Sequence, residues 1–327
     1  MSKDNFVNLH LHTHYSLGDS VIKIPDLYSA VSDYNQSAVA ITDHGSTEGW
    51  SELYNTFHGS DIKPIFGNEF YCKPTMAKPH NNTRFHLVVL AENDKGAIEI
   101  QRLQDTSTRH HFYYKPLLPY PVLFNTDSKN LFISTACSLG TVGQGLNPNS
   151  DGCTYKDAED FIIQLLDVFG NKHVALEFQF HPQYSDQAII NERLLKIYDT
   201  YDIKYCIATC DSHFIDNPKL RDMILCDSWH TTLKDLEESD RTTLKSNCLG
   251  SSAKVKEFAV ESGFSDLDLV NVMINNTQKI ADKCNVGHVN NIGAERVLPP
   301  FTKHRKFKNI FLKEPRRVNY DNDTDNV

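Results

Sequence analysis

Short hydrophobic runs recur along the chain between residues 7 and 210, separated by polar and helix-forming stretches. Several of these runs are apolar almost throughout, AVAIT and HLVVLA among them, as is typical of parallel strands covered on both faces. The runs predict seven strands: Val7–His12, Ala38–Thr42, Lys63–Tyr71, Phe85–Ala91, Leu131–Ala136, Val174–Phe180 and Lys204–Cys210.

Helical patterns lie between these runs, with Pro25 in a first turn, Ser185 at an N-cap and Gly170 at a C-cap. Repeated strand–helix alternation indicates an α/β domain with a parallel sheet, either open or closed into a barrel. Residues 107–130 form an aromatic, proline-rich excursion that is too long for a simple turn. The predicted helices are Ile24–Tyr34, Asp94–Asp105, Tyr155–Phe169 and Ser185–Tyr201.

The strand pattern ends near residue 228, which divides the chain into three predicted parts. Residues 1–228 form the α/β domain. Residues 229–302 form a mainly helical extension, in which Ser265–Lys283 is the clearest helix. Residues 303–327 form a basic segment and a polar, acidic tail that we expect to be disordered.

The composition is that of a globular protein, with 40% hydrophobic and 23% charged residues among 327. The net charge of −9 argues against a protein that coats nucleic acid by bulk charge, although acidic side chains can hold cations that meet a phosphate. No apolar stretch is long enough to span a membrane, and the N-terminus has no signal-peptide pattern. The eight cysteines include no CxxC pair and indicate reduced thiols in a cytosol.

The 15 histidines are the most informative feature of the composition, because histidine is the commonest metal ligand. His10 and His12 alternate with leucines on the first strand, so both rings point to one face. Any one of these motifs, taken alone, has a structural role more often than a metal-binding one. The carboxyl ends of the strands, however, meet in one crevice, where these side chains would come together. Nine potential ligands are more than one ion can bind. We therefore expect two or three divalent ions. The nine residues are His10, His12, Asp19, His44, Glu69, His86, Cys137, Asp211 and His213.

The order of these motifs resembles the PHP domain (polymerase and histidinol phosphatase domain), and more narrowly the one at the N-terminus of the bacterial DNA polymerase III alpha subunit. The similarity covers residues 5–228 and continues to about residue 302, through NNTQKIADKCNV and VLPPFT. The motifs that carry it are FVNLHLHTHYSLGDS, AITDHGSTEGWSELYN, IKPIFGNEFYC, FHLVVLAEN, LFISTACSLG and CIATCDSHF.

The resemblance implies a distorted seven-stranded (βα) barrel with a trinuclear metal site held by the same nine residues. All nine positions carry a residue able to bind metal. The family also includes alpha subunits that have lost several ligands and in which the domain only stabilises the polymerase, so a complete set favours catalysis. The chain ends about where the family's palm would begin, and we expect that it does not polymerise DNA alone.

Clustered divalent cations suit phosphoester hydrolysis, because they activate a water and stabilise the leaving oxygen. Asp211, His213 and Glu69 would act in catalysis through the ions they hold. Mixed histidine and carboxylate ligation favours Zn²⁺, Mn²⁺ or Fe²⁺ over Mg²⁺, and a Cys137 thiolate favours zinc.

Other residues are weaker candidates for substrate binding. His14 continues the alternation of the first strand. Glu177 and His181 come at the sixth strand, and a role in helix capping or in a solvated loop explains these two residues equally well. The basic segment Lys303–Arg317 could follow a nucleic-acid backbone or be a solvated tail. Some aromatics of the excursion could stack on unpaired bases or pack the loop down: Tyr113, Tyr114, Tyr120 and Phe124.

Three functions remain open from the sequence. The first is a 3′→5′ exonuclease that acts on DNA 3′ ends in replication, proofreading for a separately encoded polymerase. The second is a structural subunit of a split polymerase, whose metals only stabilise the barrel. The third is a small-molecule phosphatase of the histidinol-phosphate type. We expect a location in the bacterial cytosol or, for a viral protein, in the host cytosol, without a membrane partner.

Overall fold

The computed structural model describes residues 3–75, 84–126, 129–237 and 243–287 as an α/β fold. The chain divides into two compact units, Met1–Val289 and Asn290–Val327, of which the second lies outside the described residues. The described strands are β1 (Ala38–Ile41), β2 (Lys63–Lys73), β3 (Phe85–Ala91), β4 (Phe112–Tyr113), β5 (Lys115–Pro119), β6 (Leu131–Ser134), β7 (Val174–Gln179) and β8 (Tyr205–Thr209).

Eleven α-helices surround or follow these strands within the described residues. Three predicted boundaries hold well: Pro25 lies in the first turn of α1, α6 ends at Gly170, and the helix predicted from Ser265 begins at Leu267 after its N-cap. Ser185 is the first residue of α7 rather than its N-cap. The helices are α1 (Ile24–Asp33), α2 (Trp50–Phe57), α3 (Asp94–His110), α4 (Tyr120–Phe124), α5 (Thr141–Leu146), α6 (Tyr155–Phe169), α7 (Ser185–Thr200), α8 (Pro218–Trp229), α9 (Leu233–Glu237), α10 (Ser252–Glu261) and α11 (Leu267–Lys283).

The sheet is mixed, and in this respect the predicted all-parallel arrangement is wrong. β3 runs antiparallel to both β2 and β6, whereas the β1–β2, β2–β5, β6–β7 and β7–β8 pairs are parallel. Only residues 74–84 join β2 to β3, which is short for the helical crossover that a parallel return requires. A continuous apolar run marks a strand as buried but does not specify its direction.

The first predicted strand closes the sheet into an irregular barrel. Its residues form isolated parallel bridges rather than a regular ladder: Asn8 pairs with Val39 of β1, and Leu11 pairs with Ser212 beyond β8. Backbone hydrogen bonds of 2.8 Å join the Ala40 amide to the Asn8 carbonyl and the His12 amide to the Ser212 carbonyl. A curled sheet of β1, β2, β3, β6, β7 and β8, bridged by residues 7–12, approximates the distorted seven-stranded barrel that the motif resemblance implies.

The inward face of several strands changes from apolar to polar along its length. Ile65 and Glu69 lie on one face of β2, since residues two and four apart point the same way, and Ala175 and Glu177 share a face of β7. All four are buried. One end of the barrel is therefore a hydrophobic core, and the other end carries buried carboxylates.

The helical extension covers the apolar end. Ile280, Ala281 and Cys284 of α11 and its C-cap belong to the same buried cluster as Val7 and Leu9. The described part of residues 229–287 contains helices and no strand. The domain boundaries at 228 and 302 stay predictions, and the basic segment and acidic tail lie outside the described residues.

The excursion at 107–130 contains more regular structure than its composition indicates. α3 continues to His110, β4 and β5 form a hairpin, and β5 extends the sheet by pairing in parallel with β2. All eight cysteines are free thiols. Within the described ranges, the helices include none with the length and apolar character needed to cross a membrane.

Candidate metal centre

The polar end of the barrel brings the nine candidate ligands into one connected cluster. Eight of them make nitrogen–oxygen contacts of 3.3 Å or less with another member, and the ninth, Cys137, places its sulfur 3.5 Å from His86 Nδ1. His10 and His12 come from the first segment and Asp19 from the loop after it, while Glu69 lies within β2 and His86 near the start of β3. The remaining four follow the ends of β1, β6 and β8: His44, Cys137, Asp211 and His213. Barrel closure is what joins these distant segments.

Glu69 of β2 lies between four histidines. Its Oε1 atom is 3.1 Å from both His10 Nε2 and His86 Nδ1, and its Oε2 atom is 2.7 Å from His44 Nδ1 and 3.3 Å from His12 Nε2. Burial alone would raise the pKa of Glu69, but the neighbouring histidines hold it well below its usual range. The carboxylate is therefore ionised and available as a ligand to a cation on either side.

Asp211 provides a second buried carboxylate directly after β8. Its Oδ1 atom is 3.2 Å from both His10 Nε2 and His12 Nε2. Burial would raise the pKa of Asp211, but the histidines around it lower the pKa below its usual range. Asp211 has φ +47° and Ala136, which precedes Cys137, has φ +60°, a left-handed conformation that is uncommon for residues other than glycine. Such conformations concentrate at functional sites, where surrounding structure enforces them.

Hydrogen bonds on the outer side of the rings orient two of the histidines. His10 Nδ1 is 2.6 Å from Glu177 Oε1, and His12 Nδ1 is 3.0 Å from Ser16 Oγ. The Ser16 hydroxyl donates to Asp43, so it accepts from the His12 ring. Both rings therefore donate from Nδ1 and direct Nε2 at the cluster. Burial would lower the pKa of His10, but Glu177, Asp211 and Glu69 raise it well above its usual range, so a cation that binds Nε2 must displace a proton from it.

Asp19 connects the cluster to helix α8. Its Oδ2 atom is 3.0 Å from His44 Nε2 and 3.3 Å from His213 Nε2, while Arg221 donates to Oδ1 at 2.7 Å and to the main-chain oxygen at 3.0 Å. Burial raises the pKa of Asp19, but His213, His44 and Arg221 together hold it well below its usual range. His213 Nδ1 donates to the main-chain oxygen of Asp211 at 2.7 Å, which again leaves Nε2 facing inward.

Buried atoms without hydrogen-bond partners indicate what the cluster can hold. Leaving such atoms unpaired away from water costs about 1–3 kcal/mol each. Three groups of residues each place their donor atoms within 4.8 Å of one another: His12, His44 and His213; His10, His12 and Asp211; and His44, Glu69 and His86. Mixed nitrogen and oxygen donors at this spacing fit divalent transition metals and Zn²⁺. These buried atoms are His10 Nε2, His12 Nε2, His44 Nδ1, Glu69 Oε2 and Asp211 Oδ1, which face one another at 2.7 to 3.3 Å without forming a hydrogen bond.

Cys137 is a ligand only as a thiolate. Burial raises the pKa of its thiol well above the usual range, and the charges of Glu69 and Asp211 add to this effect. A bound cation acts in the opposite direction and deprotonates a coordinating thiol. The environment of Cys137 is thus suited to a metal and unsuited to a free nucleophile.

The three residues predicted for substrate binding lie apart from the cluster or behind it. The half-exposed His14 points toward Glu52, at 3.7 Å. His181 is buried, and its two nitrogens contact Ser246 and Gln179 at 2.6 and 3.0 Å. Glu177 is buried and accepts hydrogen bonds on both oxygens, so its place in the structure favours orienting His10. A substrate role for these residues stays a prediction.

The predicted stacking aromatics divide into two pairs. Tyr120 is buried and packs on Phe124 and Phe161, so this pair holds the excursion down. Tyr113 and Tyr114 lie on the hairpin with 38% and 73% of their surface exposed. Packing is therefore the role of Tyr120 and Phe124, whereas base stacking by the exposed Tyr113 and Tyr114 stays a prediction.

Sequence reasoning missed the residues that orient the ligands. Asp43 lies in the TDHG motif next to His44 and accepts from the Thr13 amide at 2.6 Å and from Ser16 Oγ at 2.8 Å, so its position in the motif was an available signal. Arg221 has no such signal, because it reaches Asp19 across 202 residues of sequence.

A wide cleft of about 2050 Å³ opens from the cluster to the surface. Its lining includes His44, His86 and Tyr71, whose ring is stacked on His44 with 5.3 Å between centroids. The cluster is thus accessible from one side of the molecule.

Comparison with known proteins gives the following similarities. A family model described as "PHP domain" matches residues 8–181. The DNA polymerase III subunit alpha of Aquifex aeolicus is 35% identical over 231 residues, which cover 68% of this chain and 19% of that protein. The subunit of the same name from Borreliella burgdorferi is 31% identical over 292 residues, which cover 86% of this chain and 24% of its own length. The chain therefore spans about a fifth to a quarter of the length of these relatives.

Proposed function

The chain belongs to the PHP domain family, and from this we propose that it is a metal-dependent phosphoesterase that acts as a 3′→5′ exonuclease on DNA. The reaction adds water across the bond between phosphorus and the 3′ oxygen, so that the terminal nucleotide leaves as a 5′-monophosphate and a new 3′ hydroxyl remains. We further propose a role in replication beside a polymerase, because the relatives are named as polymerase III subunits.

The observation that carries the proposal is the set of buried, unpartnered donor atoms at one end of the barrel. We propose that the nine candidate ligands hold two or three divalent ions there, Zn²⁺, Mn²⁺ or Fe²⁺ in preference to Mg²⁺. Such ions, when bound, lower the pKa of a coordinated water toward neutrality and stabilise negative charge on the oxygens of the phosphoester.

The residues of the chain prepare this chemistry. Glu69 and Asp211 supply buried negative charge that attracts cations, and the low pKa of each carboxyl keeps that charge at neutral pH. Hydrogen bonds to Nδ1 fix the Nε2 atoms of His10 and His12 toward the cluster, and His213 is held in the same way by its bond to a main-chain oxygen. Glu69, Asp211 and His213 are in this proposal catalytic through the ions they hold.

The size of the cleft favours a polymeric substrate over a small phosphate ester. Sites for small molecules usually enclose about 300–1,000 Å³. The cleft of about 2050 Å³ exceeds this range and is open along one side of the barrel. A phosphatase of the histidinol-phosphate type would not require so much space.

Digestion of a 5′-labelled oligonucleotide tests the proposal. The substrate is paired or mismatched at its 3′ end, Mn²⁺ or Zn²⁺ is added, and Asp211→Asn is compared with the wild type. We expect products that shorten from the 3′ end and that the variant does not form; a preference for the mismatch would support proofreading.

Two other outcomes would replace the proposal. Intact substrate with stoichiometric bound metal, together with unfolding on metal removal, would make the centre structural. Turnover of histidinol phosphate without DNA cleavage would make the protein a small-molecule phosphatase. Asp61→Asn, in an exposed turn, is the matched control for the charge change in Asp211→Asn.

A further inference from the structure

The β4–β5 hairpin presents two exposed aromatic side chains to the cleft. Phe112 is 61% exposed and Tyr114 is 73% exposed, and both line the cleft that contains His44 and His86. Tyr114 forms the tip of the hairpin with φ +59°. Exposed apolar surface that lines a cleft and is rimmed by polar residues is typical of a ligand-binding groove.

The hairpin has a fixed position relative to the metal centre. β5 pairs with β2, so that Leu117 lies opposite Tyr71. Pro116 packs against Gly45, where a Cβ atom would lie only 2.8 Å from the proline ring. Because Gly45 directly follows His44, the hairpin is held against one of the candidate ligands.

Two cations lie beside the Tyr71 ring, one of them next to the tip of the hairpin. The Arg84 guanidinium carbon and the Lys115 ammonium nitrogen are 5.5 and 5.6 Å from the centre of the Tyr71 ring. That ring is stacked on His44 at 5.3 Å. Within the described ranges neither cation forms an ion pair with a carboxylate. Two positive charges are therefore available to bind an anion next to the candidate metal centre, from which only the Tyr71 ring separates them.

We propose that Phe112, Tyr114, Arg84 and Lys115 form a binding wall for an unpaired nucleic-acid strand. The bases of the strand stack on the two aromatic rings, and its backbone phosphates contact the two cations. This inference rests on the proposed function and specifies its substrate as an unpaired 3′ end. Base faces in a duplex are covered by their neighbours, whereas an unpaired strand exposes them to aromatic side chains.

The binding of a fluorescein-labelled oligonucleotide to the metal-loaded, full-length protein tests the wall. Each aromatic should contribute roughly tenfold to affinity, so Phe112→Ala/Tyr114→Ala should weaken binding of the single strand by roughly 100-fold. Blunt duplex should bind weakly to both proteins. Arg84→Gln/Lys115→Gln should weaken binding and reduce its dependence on salt concentration, because fewer phosphates are neutralised.

Matched controls separate the wall from general surface effects. Tyr155→Ala removes an exposed aromatic outside the cleft, and Lys95→Gln/Lys172→Gln removes two exposed charges outside it. Neither should change affinity by more than about twofold. Phe112→Leu/Tyr114→Leu retains apolar bulk without an aromatic face, so that it should also lose affinity if stacking is responsible and the hairpin still folds.

The outcomes distinguish the inference from the proposed function. Strand binding that depends on Phe112 and Tyr114 without any cleavage would support the wall and overturn the exonuclease. Cleavage of single and double strands at equal rates, with both double variants unchanged, would overturn the wall and leave the exonuclease. A wild-type protein that neither binds nor cleaves oligonucleotides would overturn both.

Discussion

His10 Nδ1 lies 2.6 Å from Glu177 Oε1, and both side chains are completely buried. Glu177 also accepts from Ser134 Oγ at 2.5 Å and Thr209 Oγ1 at 2.6 Å, so three strands fix its position. The pair directs the free Nε2 of His10 toward Glu69 and Asp211. The pair is the carboxylate–histidine part of a carboxylate–histidine–metal unit, in which the carboxylate would orient the ring and raise its basicity toward a bound cation.

Replacement of Glu177 should weaken metal binding without removing a ligand. Glu177→Ala should lower metal affinity roughly 10- to 100-fold, since His10 loses its orienting partner. Glu177→Gln, which keeps an acceptor oxygen, should retain more affinity than the alanine variant. Isothermal titration calorimetry of the metal-free proteins with Zn²⁺ measures the affinity of the wild type and of both variants. Equal affinity in all three proteins would contradict the orienting role.

Arg221 should act on the metal centre through Asp19. Arg221→Ala removes two hydrogen bonds to that residue, one of them to the carboxylate. Charge-assisted bonds contribute about 1.5–3 kcal/mol, so metal affinity should fall at least tenfold. The side chain of Lys219, on the same helix, is exposed, so Lys219→Ala should leave the metal affinity unchanged. A similar loss in both variants would assign the effect to the helix rather than to Asp19.

Removal of metal should lower the thermal stability of the protein. A ligand at 1,000 times its dissociation constant stabilises the native state by about 4 kcal/mol, which corresponds to a rise in Tm of roughly 8 °C or more. Chelation should therefore lower Tm, and added Zn²⁺ or Mn²⁺ should restore it. Differential scanning calorimetry measures the change. Asp211→Asn should respond less to added metal; a Tm that no divalent ion changes would contradict the metal centre.

Gly45 should link the metal centre to the hairpin. Its φ of +52° disfavours a side chain, and the Cβ atom of Gly45→Ala would contact Pro116. Gly59 has φ +76° with open space around it, so Gly59→Ala carries the backbone cost of about 1–2 kcal/mol alone. Gly45→Ala should therefore lose more stability in urea denaturation than Gly59→Ala, because the contact with Pro116 adds to the backbone cost. Only Gly45→Ala should lose strand binding, and equal binding would show that the hairpin tolerates displacement.

His181 should make the metal-free protein sensitive to acid. Burial lowers the pKa of His181 from 6.5 to about 4, so between these values the unfolded chain takes up a proton that the native protein does not. The free energy of unfolding should therefore decrease by up to about 3 kcal/mol as the pH falls from 6.5 to 4. His181→Asn should show a smaller decrease, and His58→Asn, at an exposed position, should behave as the wild type. Denaturant titrations at several pH values measure the slope; equal slopes would contradict this pKa shift.

Local patterns were sufficient for much of the barrel. Six of the seven predicted runs are strands, because a continuous β-branched and aromatic run is a strong local signal. The remaining run, residues 7–12, forms only isolated bridges, which depend on residues far away in the sequence. The direction of β3 and the pairing of β5 with β2 were not predictable for the same reason.

The sequence by itself determined which donor atoms the chain possesses and that several of them follow strand ends, because residue type and alternation are local properties. The tertiary structure decided which nitrogen of each histidine faces the centre, that Glu69 lies between four rings, and that Arg221 and the hairpin border the site. These features depend on segments far apart in the chain: 167 residues separate His10 from Glu177. Only closure of the barrel, driven by burial of its apolar end, brings such residues within hydrogen-bonding distance.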